Sequence, residues 1–194
     1  YVQNWYYVGA ETFTPSTYAL HASLSFSTVL PAVLSMMQLL GTVPSLSGGA
    51  RNAFPVLIPK ARLAAAAVLT GSAIGLAGIG MLPDLLFPLL WVSPMLIVLS
   101  VQCLAGSETV LSPLARGDWR PLVLPAAAAL LCGVFWELWN VYSMPKWEYA
   151  VPFVNRFHVF EMPVLGYGGY LPFGVECLLA ASFVLRLPRK EPLP

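Results

Sequence analysis

The chain has 194 residues, of which 58% are hydrophobic and 10% are charged, with a mean hydropathy of +0.73. Soluble domains carry about 25% charged residues, so this composition excludes a water-exposed surface over most of the chain and makes the bilayer the expected solvent. A net charge of +1, with no basic patch interleaved with aromatics, excludes a nucleic-acid surface.

Spans in lipid must satisfy every backbone group internally, which leaves helices or closed barrels. The apolar runs here are continuous over ~20 residues rather than alternating over ~10, the pattern of helices. Residues 1–14 are polar and aromatic, with Asn4, Trp5, Tyr6, Tyr7 and Glu11. The chain opens at Tyr1 without an initiator Met or signal peptide and is expected to be a processed product, or one with a further span upstream.

The first span is predicted over about 15–40, and a loop rich in Gly, Ser and Pro follows, from Gly41 to Lys60. Thr17, His21, Ser25, Thr28 and Ser35 recur along this span at helical spacing, a seam of the kind that faces other helices in lipid. The second span is predicted over about 62–81, and its Gly71 and Gly75 are spaced for close helix packing. After a short turn at Pro83 and Asp84, the third covers about 85–105, with Pro88 and Pro94 inside it as expected kinks. A charged loop with Glu108, Arg116, Asp118 and Arg120 leads to the fourth, over about 121–141. An aromatic connector follows, with a short interfacial helix expected near 154–160, and the fifth segment covers about 163–185. Its opening, from Glu161 to Pro172, is dense in Gly and Pro and is expected to break the helix until Pro172. The expected fold is therefore all-α: one integral membrane domain over 1–194, a polytopic helical bundle of about five spans with the last one broken.

Eight basic residues (Arg51, Lys60, Arg62, Arg116, Arg120, Arg186, Arg189, Lys190) fall on one side of such a bundle and two (Lys146, Arg156) on the other. The first group is expected in the cytoplasm, with residue 1 in the periplasm and the C-terminus cytoplasmic, in a bacterial inner or intracytoplasmic membrane. Trp5, Tyr6, Tyr7, Tyr142, Trp147 and Tyr149 then read as an outer aromatic belt. Cys103, Cys132 and Cys177 lie in apolar runs without a CxxC and read as small apolar core residues.

Ionisable groups inside apolar runs mark the candidate site. Glu137 lies about one turn below the end of the fourth span, and Asn140, at i+3, is expected to donate to it, with Trp136 and Trp139 flanking. Glu176 falls in the first turns of the last helix, where the helix dipole favours a carboxylate. The topology predicts that His21, Glu137, Asn140, Glu161 and Glu176 sit at similar depth near the outer face, with either a shared proton or a cation such as Arg156 or a metal offsetting the carboxylates. His158 and Glu161 are three apart, the spacing of half a metal site, but the matching half is absent and no metal is expected.

The block from Phe135 to Glu176 reads FWELWN, then SMPKWEYAVPFV, then FEMPVLGYGGYLPFGVE. It resembles an uncharacterised family of polytopic bacterial membrane proteins with a similar C-terminal block, over about a fifth of the chain. The resemblance implies that Trp136, Glu137, Trp139, Asn140, Glu161, Pro163, Gly166 and Glu176 form the distinctive part, and it carries over no catalytic role.

The sequence holds no nucleotide loop, haem motif, nucleophile elbow or HExxH. The leading expectation is an accessory transmembrane subunit of a larger bacterial membrane complex, a photosynthetic reaction-centre and light-harvesting assembly being the favoured class. It has no cofactor of its own and would contact lipids, carotenoid or chlorophyll-type pigments and other transmembrane subunits. The alternative is a membrane enzyme acting on a lipid or isoprenoid, with Glu137 and Glu176 as acid and base. A small transporter fits least, because the chain lacks paired halves.

Overall fold

The computed structural model describes residues 4–184. Arg186, Arg189, Lys190 and the last residue of the expected fifth span lie outside them. The described chain is mostly helical. Strand β1 (Trp5–Val8) precedes α1 (Pro15–Ser27), α2 (Val29–Gly41), α3 (Pro44–Arg51), α4 (Ala61–Gly78), α5 (Pro83–Leu86), α6 (Pro88–Leu104) and α7 (Arg120–Asn140). Then come β2 (Lys146–Tyr149), β3 (His158–Val159), β4 (Met162–Pro163) and α8 (Tyr170–Val184).

Four helical stretches are long and apolar enough to cross a membrane: Pro15–Gly41, Ala61–Gly78, Arg120–Asn140 and Val164–Val184. The third expected span is shorter. Pro88 is not an internal kink but opens α6, because proline fits the first turn where its missing N–H is not needed. Only Pro94 lies inside that 17-residue helix.

The first long stretch bends at Thr28. Pro31 cannot donate to the Ser27 carbonyl. The hydroxyls of Ser27 and Thr28 instead bond back to the Leu24 and Ser25 carbonyls at 2.7 and 2.8 Å, a pattern that bends helices. The last stretch is not broken at its Gly/Pro-rich start. Val164–Gly169 winds as a 3₁₀ turn that runs directly into α8 at Tyr170, two residues before the expected restart.

The core lies where α2, α7 and α8 meet: Val33 and Met37 from α2, Leu124, Ala128, Ala129 and Cys132 from α7, and Cys177 and Leu178 from α8. α7 and α8 run antiparallel at close approach. A Cβ on Gly174 would collide with the Pro125 carbonyl, and one on Gly133 with the Tyr170 ring. Small residues allow that approach, as the spacing of Ala129 and Gly133 signals in hindsight. α4 and α6 form a second antiparallel pair, joined to the first group through α6 and α8. Gly75 admits the Leu89 side chain of α6, whereas nothing lies within 4 Å of a Cβ on Gly71. At the base of this pair Arg62 donates to the Leu104 carbonyl at 3.3 Å, closing the C-terminus of α6.

These contacts predict that Gly174→Ala, which must displace backbone, destabilises the folded chain by about 1–3 kcal/mol. Gly71→Ala has open space and gains from reduced unfolded-state freedom, so it is expected to be neutral or mildly stabilising. Thermal unfolding of the purified variants in one detergent checks both.

Candidate functional site

The site is built around strand β2, which the sequence did not reveal as a strand. β1 and β2 pair antiparallel, with Trp5 opposite Tyr149, Tyr6 opposite Glu148, Tyr7 opposite Trp147 and Val8 opposite Lys146. Alternation along β2 sends Trp147 and Tyr149 toward one face and Lys146 and Glu148 toward the other. The first pair reaches the end of α7, and the second pair is held by other segments.

Glu137 and Asn140 both grip Trp147, one through its ring and one through its backbone. Asn140 is fully buried. Its Nδ2 donates to the Trp147 carbonyl at 2.7 Å, and its Oδ1 accepts from the Trp147 N–H at 2.9 Å. The expected donation from Asn140 to Glu137 is therefore replaced by a pair of bonds that imitates a strand neighbour, satisfying backbone groups that must be paired when buried.

Glu137 is also fully buried. Its Oε1 accepts from the Tyr149 hydroxyl at 2.5 Å, the Tyr170 hydroxyl at 3.2 Å and the Trp147 Nε1 at 3.3 Å. The Trp147 Nε1 also donates to the Tyr149 hydroxyl at 2.9 Å. One carboxylate thus ties α7, β2 and the start of α8 together. Burial, reinforced by the neighbouring Tyr170 and Glu137, pushes the Tyr149 phenol far above its ordinary value, so it remains a donor at any working pH. The Glu137 Oε2 is buried without a partner among the described residues.

On the other face of β2, Lys146 pairs with Glu161 at 2.5 Å and reaches Glu148 at 4.0 Å. These bonds hold the Lys146 ammonium above its ordinary value, Glu161 contributing most. Tyr6 donates to Glu148 at 2.9 Å across the sheet. The cation beside these carboxylates is Lys146, in the position expected for Arg156, which is exposed.

The remaining candidates are dispersed. Glu176 lies six residues beyond Tyr170 on α8, ~9 Å further along the axis, and its Oε1 is buried with no partner among the described residues. Trp136 meets Tyr170 with the rings tilted and their centroids 6.0 Å apart, and Trp139 is exposed with its ring 6.2 Å from Phe135. His21 is exposed on α1 and touches Phe13 at 5.6 Å. His158 bonds to Asn155 at 2.8 Å, and Glu161 is committed to Lys146, so the two do not face a common point. Among the described residues there is no cluster of three or more His, Cys, Asp or Glu that could hold a metal ion.

The short helix expected over 154–160 does not form. Phe153, Phe157 and Phe160 have positive φ of 67, 53 and 56°, which interrupts any helical run, and His158–Val159 pairs with Met162–Pro163 instead. Sequence reasoning missed Trp147, Tyr149 and Tyr170 as partners of Glu137. The alternation in Lys146-Trp147-Glu148-Tyr149 is the signal that could have found the first two.

The chain matches no protein-family model, no curated protein and no solved structure.

Replacing Asn140 with Ala strands the Trp147 amide and carbonyl, at about 1–3 kcal/mol for buried groups left unpaired. Amide exchange should accelerate across 146–149 and 5–8, while protection in α4 and α6 stays unchanged. Unaltered protection in β2 would contradict the assignment.

Proposed function

We propose that the chain is a membrane-embedded bundle of five crossings that serves as a structural subunit of a larger bacterial membrane assembly. α6 supplies the additional crossing as a 17-residue helix, within the range that spans a bilayer. The excess of basic residues on one side supports a periplasmic β1 end and a cytoplasmic C-terminus.

The observation that carries the subunit reading is α1. Among the described residues this helix contributes no buried residue, packs chiefly on its own continuation α2, with Tyr18 against Tyr7 of β1, and leaves His21, Ser23 and Ser25 exposed. His21 is ~9 Å into the helix from Pro15. Intramembrane polar groups of this kind normally face other helices or a watery cavity rather than lipid tails. A neighbouring transmembrane helix from another subunit answers that demand. The Glu137 cluster supports the same reading, because the accepting oxygen is saturated by donors from within the chain and acts as structural glue.

A pigment-bearing photosynthetic assembly is the host class within this proposal, with lipids, carotenoid or chlorophyll-type pigments lying on the exposed helix faces. The resemblance of the Phe135–Glu176 block to uncharacterised polytopic bacterial proteins belongs to the same proposal. A second reading, an enzyme acting on a lipid or isoprenoid, is favoured by one observation: Glu137 and Glu176 each keep a buried oxygen without a partner among the described residues.

Extraction of native membranes in mild detergent, followed by sizing, mass-spectrometric composition and an absorption spectrum, separates the readings. The subunit reading expects a large particle of fixed composition holding this chain. A monodisperse particle with this chain alone, converting an isoprenoid lipid in a manner lost on Glu137→Gln, would overturn it.

A further inference from the structure

At the end of α7 opposite Glu137, the segment between α3 and α4 is strapped to the turn before α7. Ala53 donates to the Gly117 carbonyl at 3.0 Å, Val56 to Leu114 at 2.9 Å, and Trp119 to the Ala50 carbonyl at 2.7 Å. The Trp119 ring N–H donates to the Phe54 carbonyl at 2.7 Å, with the two rings 4.7 Å apart. Gly117 has φ +79°, and a Cβ there would meet the Ala53 carbonyl, so the contact needs glycine.

This fixed segment nevertheless exposes large apolar side chains: Phe54 at 68%, Leu57 at 75% and Ile58 at 61%. Beside them runs an open groove of about 340 Å³ whose lining includes Leu46, Gly49, Ala53, Phe54, Trp119 and Val123. Its lining is mostly apolar and includes Trp119 and Val123 at the start of α7.

Basic residues lie close in the chain to the segments that form the groove, Arg51 next to the lining Ala50 and Arg116 next to Gly117, whose carbonyl accepts from Ala53. Arg51 ends α3, Arg116 ends the 3₁₀ turn Ser112–Arg116, and Lys60 precedes α4. Among the described residues none of the three is in an ion pair. Asp118, two residues after Arg116, is already engaged by Arg120 at 2.8 Å. Hydrogen bonds from Arg120 hold the Asp118 carboxyl below the usual range, and the field of Arg51, which directly follows the lining Ala50, adds to this.

We infer that this groove seats an anionic phospholipid, with one acyl chain on Leu46, Gly49, Ala53 and Phe54 and the phosphate against Arg51 and Arg116. The inference rests on the membrane reading above. Charge complementarity selects this occupant: basic groups beside an apolar groove at a helix end match a phosphate attached to a hydrocarbon chain, as basic pockets between membrane helices do. Trp119 and Phe54 are then interfacial anchors.

The test uses the full chain reconstituted in vesicles of equal parts phosphatidylcholine and phosphatidylglycerol, with spin-labelled forms of each lipid reporting the immobilised fraction. Wild type is expected to retain phosphatidylglycerol over phosphatidylcholine. Arg51→Gln and Arg116→Gln should each lower that preference by about fivefold, the effect of one basic residue near an anionic surface. Gly49→Leu has open space for its side chain and should lower the immobilised fraction without changing charge. Equal retention of the two lipids by wild type would overturn the seat, as would a preference untouched by the arginine variants. Displacement by inorganic phosphate, or an immobilised fraction indifferent to Gly49→Leu, would reduce the site to a cationic rim and overturn the acyl groove. A chain washed from the vesicles by alkaline carbonate would instead overturn the membrane reading itself.

Discussion

A carboxylate buried at the end of an apolar helix must be surrounded by donors, and the way Glu137 meets that demand arranges much of the molecule. Its donors come from Tyr149 and Trp147 on β2 and from Tyr170 at the head of α8. Drawing Trp147 and Tyr149 inward fixes the face of β2, and the alternation of the strand then directs Lys146 and Glu148 to Glu161 and Tyr6. Drawing Tyr170 inward sets the register of α8 on α7, where Gly133 makes room for its ring and Gly174 for the Pro125 carbonyl. Breaking a buried polar network of this kind at one member leaves the others unpaired, so its members act as a unit.

The two ends of the long helices therefore differ in physical character. At the Glu137 end, polar groups are turned inward and pinned, and the strand pair β1–β2 covers the helix ends. At the Arg120 end, apolar side chains are turned outward near the basic Arg51 and Arg116, on a backbone held by its own hydrogen bonds. The first arrangement is suited to holding one chain together. The second is suited to meeting something outside it. α1, without a buried residue, belongs with the second in this respect.

The helices were legible because apolar runs of membrane length need no tertiary information to be recognised, and four of them coincide with long helices to within a few residues. Glu137 and Asn140 were legible for a related reason: a polar side chain in an apolar run stands out. Their partners were not. Tyr6 and Glu148 are 142 positions apart, and no local pattern shows that residues 5–8 and 146–149 form one sheet. Trp147 and Tyr149 read as belt aromatics because their ring N–H and hydroxyl look the same in sequence whether they face water or a buried acid. Gly71 and Gly75 share one spacing, yet only Gly75 meets a neighbour, because helix rotation rather than spacing decides which face packs. The Gly/Pro-rich start of the last helix was read as a break, but glycine also permits the tighter 3₁₀ winding seen there.

The central claim is that Glu137 binds β2 to the helices through the Tyr149 hydroxyl. A double-mutant cycle on unfolding free energy in detergent, built from Glu137→Leu, Tyr149→Phe and the combined variant, tests it most directly. The account predicts a coupling on the order of 1–3 kcal/mol between the two positions. Effects that add to within about 0.5 kcal/mol, as distant independent sites do, would contradict it.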